Sequence, residues 1–472
     1  MRLVGRTRIA VVLAAVVLTC AGAASAVLAG TRAAGPTTQE LTITASDGTK
    51  LACGLVLPGG SPPAEGWPGL LLFHGLGQTH AAMDAIATAA FAPAGFASLA
   101  CDARGTGASG GTFGLDGPRE VQDARDLFAW LAAQGDVSDT EIGAFGLSLG
   151  GGEVWNAAAA GVPFKAIVPA ITWTDLARAL APADVPKGGL VSGLAQLIPG
   201  QWDQSIAQAR SDLLDGSVTP AVRTATAARS TRPNLHSLTV PTLLLQGRHD
   251  FLFDIDQALA PYRLLAGPKR LYIGDLGHAP AANPAAEQPA YLSEVAKWFE
   301  AYLAGEPGLH GGVELAHDPW DGTTTSYKSL PSTRHESVNL PGTKSLGAAG
   351  SARRSVRLPG GPLETFGDGS LSVRYSGNSG WTELRAMVSV KDSKTPVTVG
   401  AARIDKGSGV VKIPLLDEAV LLPRGRRLVV TIGATTAAGV YGAAEARPAE
   451  GASLAIGRVT LHLSLLKRAV SR

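Results

Sequence analysis

The feature that most constrains the fold is a regular alternation of short β-rich runs and helical stretches between Leu41 and His278. Runs such as residues 70–73 are apolar throughout, which is typical of strands buried on both faces. Buried strands separated by helices predict an α/β domain with a mostly parallel sheet. We predict eight strands, at residues 41–46, 50–57, 69–73, 96–101, 141–146, 165–169, 239–246 and 270–273.

One interval of this domain carries no strand pattern. It holds amphipathic pieces instead, at residues 190–198, 202–214 and 221–228. Long insertions in compact domains are usually functional. We therefore predict that residues 173–238 form a helical cap over a site, and that Trp173 and Trp202 within the cap contribute to the substrate pocket.

The pattern changes after the glycine-rich stretch around residues 305–312. Apolar residues then alternate strictly with polar ones, as in Leu371, Val373 and Tyr375. This period of two predicts an all-β sandwich. A chain of 472 residues is also too long for one ordinary core. We place the α/β domain at 36–309 and the β-sandwich at 313–472.

The N-terminus has the composition of a targeting segment. Three arginines precede an apolar run at residues 9–18, and small residues follow up to Ala26. This order predicts a secretory signal at 1–26 and a secreted or extracytoplasmic protein. The alternative is an uncleaved membrane anchor, because no further charge appears before Arg32. A membrane partner is expected only in that case.

Composition excludes other classes of function. A 45% apolar and 17% charged chain with a net charge of +2 is typical of a packed globular protein, and its lack of a dense basic stripe gives no reason to expect nucleic-acid binding. Cys53 and Cys101, which remain after removal of the signal, lie in no C-x-x-C or Cys/His cluster, so we expect no metal and no cofactor. In an exported protein the two either form a disulfide or stay free and buried, depending on strand register.

A serine nucleophile is predicted from a G-x-S-x-G motif centred on Ser148. The motif follows a predicted strand and precedes a helical stretch, as a nucleophile elbow requires. The motif alone is weak in a chain with 58 glycines, and Ser109 also matches it. No helical stretch follows Ser109 directly, so the context favours Ser148.

The base and the acid should follow the serine in chain order, on loops after late strands. Asp250 stands at the end of the strand 239–246, and His278 follows the last predicted strand. His249 adjoins Asp250 and is poorly placed to be oriented by it. The other acids near these strand ends are Asp254, Asp256 and Asp275. Asp250 is preferred because it is nearest the strand end.

The oxyanion hole is expected in the loop after the third strand, which begins His74-Gly75-Leu76-Gly77. Glycines let backbone N–H groups face inward, so the predicted donors are the amides of Leu76 and Leu149. We interpret His74 as structural.

Several motifs together resemble the cocaine-esterase and X-Pro dipeptidyl-peptidase family of α/β-hydrolases. They occupy residues 72–75, 102–111, 117–121, 146–151 and 247–253. The resemblance implies a hydrolase domain with a helical cap joined to a jelly-roll-like β domain, with Ser148 as nucleophile, Asp250 as orienting acid and His278 as base. Family members often supply a tyrosine hydroxyl to the oxyanion hole from the loop after the third strand. This chain has no tyrosine at residues 74–79.

These observations predict an exported serine hydrolase that cleaves small-molecule carboxylic esters. The alternative is an X-Pro dipeptidyl-peptidase that takes short peptides, which requires an acidic anchor for the substrate's free amine. Asp175 and Asp203 in the cap are the candidates for that anchor. A further alternative is a non-catalytic binding protein, whose β domain grips a polymer.

Overall fold

The structure is a computed structural model that describes residues 35–198, 200–309, 311–358, 362–442 and 448–467. The predicted signal at 1–26 lies outside the described residues, and secretion stays a prediction. None of the helices in the described ranges has the length and apolar character needed to cross a bilayer.

The first sheet has ten strands among the described residues, in the order β1-β2-β4-β3-β5-β6-β7-β8-β9-β10. Neighbouring strands from β4 to β9 run parallel, and the others run antiparallel. The strands are β1 (Thr37–Thr44), β2 (Lys50–Leu57), β3 (Trp67–Phe73), β4 (Ala97–Cys101), β5 (Val137–Leu147), β6 (Ile167–Ala170), β7 (Thr242–Gly247), β8 (Lys269–Gly274), β9 (Gly312–Ala316) and β10 (Thr324–Tyr327). The mostly parallel α/β-hydrolase sheet predicted from the sequence is confirmed.

Two of these strands were not among the eight predicted. β9 and β10 come from residues that the sequence assigned to the second domain. Val313 and Leu315 are buried in the first core, and the guanidinium of Arg270 lies 3.0 Å from the carboxylate of Glu314. The proposed boundary at residue 313 therefore falls inside the first sheet. The apolar-polar alternation of this short run is the same as in the sandwich strands, so local pattern did not separate them.

Helices accompany the first sheet on both sides. They are α1 (His80–Ile86), continued by a π-helical turn (Ala87–Phe91), α2 (Pro118–Ala132), α3 (Leu149–Ala159), α4 (Leu176–Leu180), a 3-10 turn (Pro182–Asp184), α5 (Gly188–Ala195), α6 (Gln204–Leu214), α7 (Pro220–Ala227), a 3-10 turn (Arg232–Ser237), α8 (Asp256–Leu264) and α9 (Gln288–Leu303). A further helix, α10 (Ala438–Tyr441), belongs to the second domain and contacts α5. Alternate residues of β3 enter different apolar clusters, with Leu71 in one and Leu70 and Leu72 in another. The sheet is thus buried on both faces, as its continuous apolar runs predicted.

The helices α4 to α7 lie between β6 and β7, in the interval that the sequence assigned to a cap. Side-chain caps start three of them: Asp175 accepts from the amide of Arg178, Asp203 from that of Ser205, and Thr219 from that of Val222. Their apolar faces join a cluster with residues 251–253, which follow β7. This packing holds the cap above the carboxyl ends of the parallel strands.

The second domain is one antiparallel sheet in the order β11-β20-β14-β17-β16-β15-β19-β13, with β12 beside β20 and β18 beside β14. Its strands are β11 (Thr333–Leu340), β12 (Lys344–Gly347), β13 (Ser351–Arg357), β14 (Leu363–Ser379), β15 (Glu383–Val390), β16 (Pro396–Arg403), β17 (Gly409–Glu418), β18 (Leu421–Leu422), β19 (Arg427–Gly433) and β20 (Ser453–Leu466). The two ends of the sheet meet where β13 contacts β11 and β12. The sheet encloses an apolar core that includes Leu371, Val430 and Leu461, so the all-β second domain predicted from the sequence is confirmed.

The two domains are joined by backbone hydrogen bonds at the end of β17. The amide of Ile255 donates to the carbonyl of Asp417 (3.0 Å), and the amide of Ala419 donates to the carbonyl of Arg248 (2.8 Å). The Arg248 side chain, which is fully buried, returns a bond to the carbonyl of Ala419 (2.8 Å). The sandwich therefore contacts the loop that follows β7 and contains Asp250.

Cys53 and Cys101 are directly opposite each other on the antiparallel pair β2 and β4. The structure joins their sulfur atoms in a disulfide that closes a separation of 48 residues. The sequence allowed either a disulfide or two free thiols, because the register of the two strands decides between these alternatives. A shift of one residue would turn the two side chains to opposite faces of the sheet.

Candidate active site

Ser148 lies on the sharp turn between β5 and α3. Its backbone has φ 55° and ψ −112°, a strained conformation that the surrounding packing maintains. A Cβ atom on Gly146 would lie 2.1 Å from the carbonyl oxygen of Gly150, and one on Gly150 would lie 2.1 Å from that of Phe73. The turn therefore has no room for side chains on either side of the serine, which is why the motif needs glycine at both positions.

The structure brings Ser148, His278 and Asp250 together although they are far apart in the chain. The Oγ of Ser148 lies 2.8 Å from Nε2 of His278, and Nδ1 of His278 lies 2.9 Å from Oδ2 of Asp250. An ionised carboxylate only accepts hydrogen bonds, so Nδ1 carries the proton. Nε2 is then free of hydrogen and accepts from the serine hydroxyl.

Asp250 is fully buried, and its backbone environment fixes its orientation. Oδ1 accepts from the amides of Leu252 (2.9 Å) and Phe253 (3.0 Å), and Oδ2 also accepts from the amide of His278 (2.9 Å). Burial alone raises the pKa of Asp250, but the His278 ring and these amides outweigh it, and the net pKa is lowered. The carboxylate is therefore ionised while it holds His278.

The rival residues have other partners. The ring of His249 packs against Phe251, and burial lowers the pKa of His249 to about 4. The three alternative acids accept hydrogen bonds elsewhere: Asp254 from the amide of Asp417, Asp256 from Arg232, and Asp275 from the amide of Ala282. None of them bonds to His278 among the described residues.

Ser109 holds a loop instead of facing a base. Its Oγ accepts from the amide of Ala52 (2.9 Å) and donates to the carbonyl of Asp102 (2.7 Å). These bonds attach the loop after β4 to strand β2. The second G-x-S-x-G match is thus a structural turn.

Both predicted oxyanion donors lie beside Ser148. Leu76 and Leu149 line the same cleft as the serine. Leu149 is the first residue of α3, and the amides of a first helical turn have no partner inside the helix. His74 holds the neighbouring loop: Nε2 accepts from the amide of Ala103 (2.9 Å), and Nδ1 donates to the carbonyl of Gly75 (2.8 Å).

The cleft at Ser148 is lined almost entirely by apolar side chains. The two predicted pocket residues, Trp173 and Trp202, are both in its wall, together with Leu115, Leu194 and Phe253. The indole of Trp173 packs against Phe253 with ring centroids 5.3 Å apart. The ring of Phe253 in turn packs edge-on against His278, which places the apolar wall next to the base.

The two acids proposed as an amine anchor lie outside this wall. Asp175 caps α4 and lines a separate cavity between the cap and the sandwich. Asp203 caps α6 and also accepts from the hydroxyl of Thr112 (3.3 Å). No carboxylate lines the cleft among the described residues.

The loop that follows β7 and contains Asp250, the acid loop, is contacted by two residues that were not predicted. Nζ of the buried Lys187 donates to the carbonyls of Phe251 (2.7 Å) and Leu252 (3.0 Å), and burial lowers the pKa of Lys187 to about 8. Oε2 of Glu418 accepts from the amide of Asp250 (3.2 Å). Both contacts join segments distant in the chain, and no local motif indicates them.

One group of possible metal ligands occurs among the described residues: Glu40, His80 and Asp84. Both ring nitrogens of His80 already face carboxylates, with Nδ1 2.8 Å from Asp84 and Nε2 3.5 Å from Glu40. The three side chains therefore form an ion-paired cluster centred on His80.

The sequence matches the family model of X-Pro dipeptidyl-peptidase (S15 family) over residues 47–280. This stretch contains Ser148, Asp250 and His278. The α/β-hydrolase domain belongs to this family. The match supports a hydrolase of ester or peptide bonds.

A curated relative from Escherichia coli, an uncharacterized 31.7 kDa protein in the traX-finO intergenic region, is 36% identical to this chain over 110 residues. The match covers 23% of this chain and 38% of the relative. It therefore spans well under half of either protein.

Solved structures share the two-domain fold of this chain. A CocE/NonD family hydrolase from Staphylococcus aureus has a TM-score of 0.68 at 14% identity, covering 92% of this chain and 97% of that one. An alpha-amino acid ester hydrolase has a TM-score of 0.68 at 13% identity, with 94% and 98% covered. An aminopeptidase from a marine sediment Thaumarchaeota archaeon has a TM-score of 0.62 at 13% identity, with 95% and 99% covered. At these identities the likeness establishes the fold alone.

Proposed function

We propose that the protein is an exported serine hydrolase that cleaves carboxylic esters with apolar acyl groups. The observation that carries the proposal is the hydrogen-bonded chain from Ser148 through His278 to Asp250 at one end of an apolar cleft. In that chain Nδ1 of His278 faces the carboxylate of Asp250 and Nε2 faces the hydroxyl of Ser148, which is the arrangement that acyl transfer requires.

The reaction has two halves. Ser148 Oγ attacks the ester carbonyl carbon as Nε2 of His278 takes the hydroxyl proton, and the amides of Leu76 and Leu149 hold the oxyanion. The C–O bond to the alcohol breaks, and His278 returns its proton to the departing alkoxide. A water molecule then loses a proton to His278 and attacks the acyl-enzyme. The bond between the acyl carbon and Ser148 Oγ breaks, His278 returns its proton to Oγ, and the acid is released. Asp250 stays ionised and fixes the His278 ring throughout.

The cleft favours an ester over an X-Pro peptide. A dipeptidyl-peptidase substrate brings a free ammonium group into the site, and a buried charge without a partner is costly. The cleft offers no carboxylate among its described residues, and Asp175 and Asp203 serve as helix caps outside it. The X-Pro dipeptidyl-peptidase remains the second candidate, because the matching family model bears that description.

Two observations support export. The basic, apolar and small-residue order of residues 1–26 is typical of a secretory signal. The Cys53–Cys101 disulfide is a bond that persists in oxidising compartments and is rare in the cytosol.

The proposal is tested with an activity-based probe and a substrate panel. A fluorophosphonate should label the wild type and leave Ser148→Ala unlabelled. If the wild type is not labelled, the protein is a non-catalytic binding protein. Chromogenic acyl esters of increasing chain length, compared with Gly-Pro anilide, then separate the two enzymes. Preferential cleavage of the anilide would show that the dipeptidyl-peptidase activity, and not the esterase activity, is the correct assignment.

A further inference from the structure

Arg210 lies in the wall of the cleft that holds Ser148. It is on α6, where Ile206, Arg210 and Leu213 all line that cleft. Residues three and four apart share one face of a helix, so Arg210 occupies a position of the apolar face. An apolar residue is expected at such a position, and a cation there calls for a specific reason.

Arg210 has no charged or hydrogen-bonding partner among the described residues. Its Nε is shielded from solvent and makes no hydrogen bond. Its guanidinium stacks on Trp202, with the guanidinium carbon 4.6 Å from the centre of the ring. The indole fixes the guanidinium in place but does not neutralise its charge.

The other arginines of the cap are different. Residues 173–238 contain five arginines. Arg178 and Arg232 both pair with Asp256, Arg223 pairs with Asp184, and Arg229 donates to the carbonyls of Gly114 and Ala225. Within the described part of the cap, Arg210 is thus the arginine left without an acceptor, and it is the one that faces the cleft.

We infer that Arg210 binds a carboxylate of the substrate, which makes the substrates esters that carry a second, anionic group. The inference rests on the proposed function of Ser148 and narrows its substrate class. A guanidinium offers paired N–H donors that match the two oxygens of a carboxylate. The apolar residues of the cleft then enclose the hydrocarbon segment between the ester and the anion. A carboxylate on the acyl half and one on the alcohol half offer the same chemistry to Arg210.

The test compares matched esters on the intact protein. Monomethyl adipate and methyl 5-carbamoylpentanoate differ only in a terminal carboxylate or amide, and 5-acetoxypentanoate with its amide places the same pair on the alcohol half. We expect the wild type to favour the anion of at least one pair in kcat/KM by about 10- to 100-fold, the range for a hydrogen bond to a charged group. Arg210→Gln should abolish that preference, and Arg210→Lys should keep part of it. The pair that responds identifies the half that carries the anion.

Arg223→Gln is the matched control, because Arg223 lies on the neighbouring helix α7 and lines the other cavity. It should leave the anion-to-amide ratio unchanged. The role of Arg210 would be overturned if the wild type cleaved anionic and neutral esters equally, or if Arg210→Gln kept the wild-type ratio. Either result would leave the proposed function of Ser148 intact. A wild type that cleaves none of the four esters would overturn the proposed function as well.

Binding without turnover provides an independent readout. In the Ser148→Ala protein, calorimetry should detect the responding anionic ester binding at least about tenfold more tightly than its amide. Adding Arg210→Gln to that protein should remove the difference. If Ser148→Ala binds the ester with a terminal carboxylate and the ester with a terminal amide equally well, the inference is contradicted, whatever the turnover data show.

Discussion

The side-chain carboxyl group of Glu418, on the β-sandwich, accepts a hydrogen bond from the backbone amide of Asp250 at 3.2 Å. Asp250 in turn holds His278 at 2.9 Å. One residue of the second domain is therefore two hydrogen bonds away from the proposed catalytic base. The bond is fully buried, so solvent does not replace it when it is lost.

Removal of the Glu418 side-chain acceptor should impair catalysis without removing any group that touches substrate. In Glu418→Leu the Asp250 amide is left unsatisfied, which costs about 1–3 kcal/mol and loosens the acid loop. We expect kcat to fall about tenfold or more with KM little changed, and Glu418→Gln, which keeps an acceptor oxygen, to restore most of it. Glu336→Leu, on β11, is the control. If Gln and Leu at 418 give the same loss, the hydrogen bond is not the cause.

Deletion of the sandwich should inactivate the hydrolase domain. A chain ending at residue 330 keeps β9 and β10 but loses Asp417, Glu418 and Ala419, which bond to the loop after β7. It also exposes apolar surface around Phe251, which shares a cluster with Val399 and Leu416 of the sandwich. We expect low solubility and a loss of at least about 100-fold in kcat/KM. A soluble and fully active truncated protein would instead make the sandwich an independent module.

The parts of the site that sequence could predict are those fixed by local structure. Ser148, Asp250 and His278 each follow a strand of the α/β sheet, so strand patterns and chain order indicated all three. Lys187 and Glu418 could not be predicted, because their role comes from packing between the cap, the sandwich and the acid loop. The lack of a carboxylate partner for Arg210 among the described residues also could not be predicted, because it depends on where the neighbouring carboxylates lie in the folded structure.

The start of a helix could not be predicted where tertiary hydrogen bonds of a buried side chain decide it. Helix α9 begins at Gln288, although the helical pattern of the sequence extends from Pro284 to Leu303. The preceding Glu287 is buried and accepts hydrogen bonds from the hydroxyl of Tyr272 (2.9 Å) and the amide of Asp275 (3.1 Å). These tertiary bonds hold residues 284–287 in a turn against β8.

Ser148→Ala should abolish ester hydrolysis while Ser109→Ala should not. Loss of the nucleophile lowers kcat by about three or more orders of magnitude and leaves the fold intact. Ser109→Ala removes one hydrogen bond to Ala52 of β2 and one to the carbonyl of Asp102, so it should lower the free energy of unfolding by about 1–3 kcal/mol and leave kcat within a few-fold. Steady-state kinetics and thermal unfolding of both variants provide the test. Equal losses of kcat at both positions would mean that the wrong serine is assigned.

The buried Lys187 should give stability a distinctive pH dependence. Burial lowers its pKa to about 8 in the folded protein, against about 10.4 in an unfolded chain. Below the folded pKa both states carry the proton, and the folded state bears the full penalty of roughly 3 kcal/mol. Between the two values only the unfolded chain is protonated, so stability rises with pH. The free energy of unfolding of the wild type relative to Lys187→Met should therefore increase by roughly 3 kcal/mol from about pH 7 to about pH 10.5. A difference that stays constant over this range would contradict the lowered pKa.

The disulfide between Cys53 and Cys101 should stabilise the fold without taking part in catalysis. It links β2 to β4 and closes a separation of 48 residues, and loops of this size contribute about 3–4 kcal/mol in the chain-entropy model. We expect Cys53→Ala/Cys101→Ala to unfold at a lower temperature than the wild type, and to keep near-wild-type kcat at temperatures where both are folded. Thiol counting on the unfolded, unreduced protein without residues 1–26 checks the bond directly. No free thiol should be found, and two per chain would show that the cysteines are only buried apolar filler.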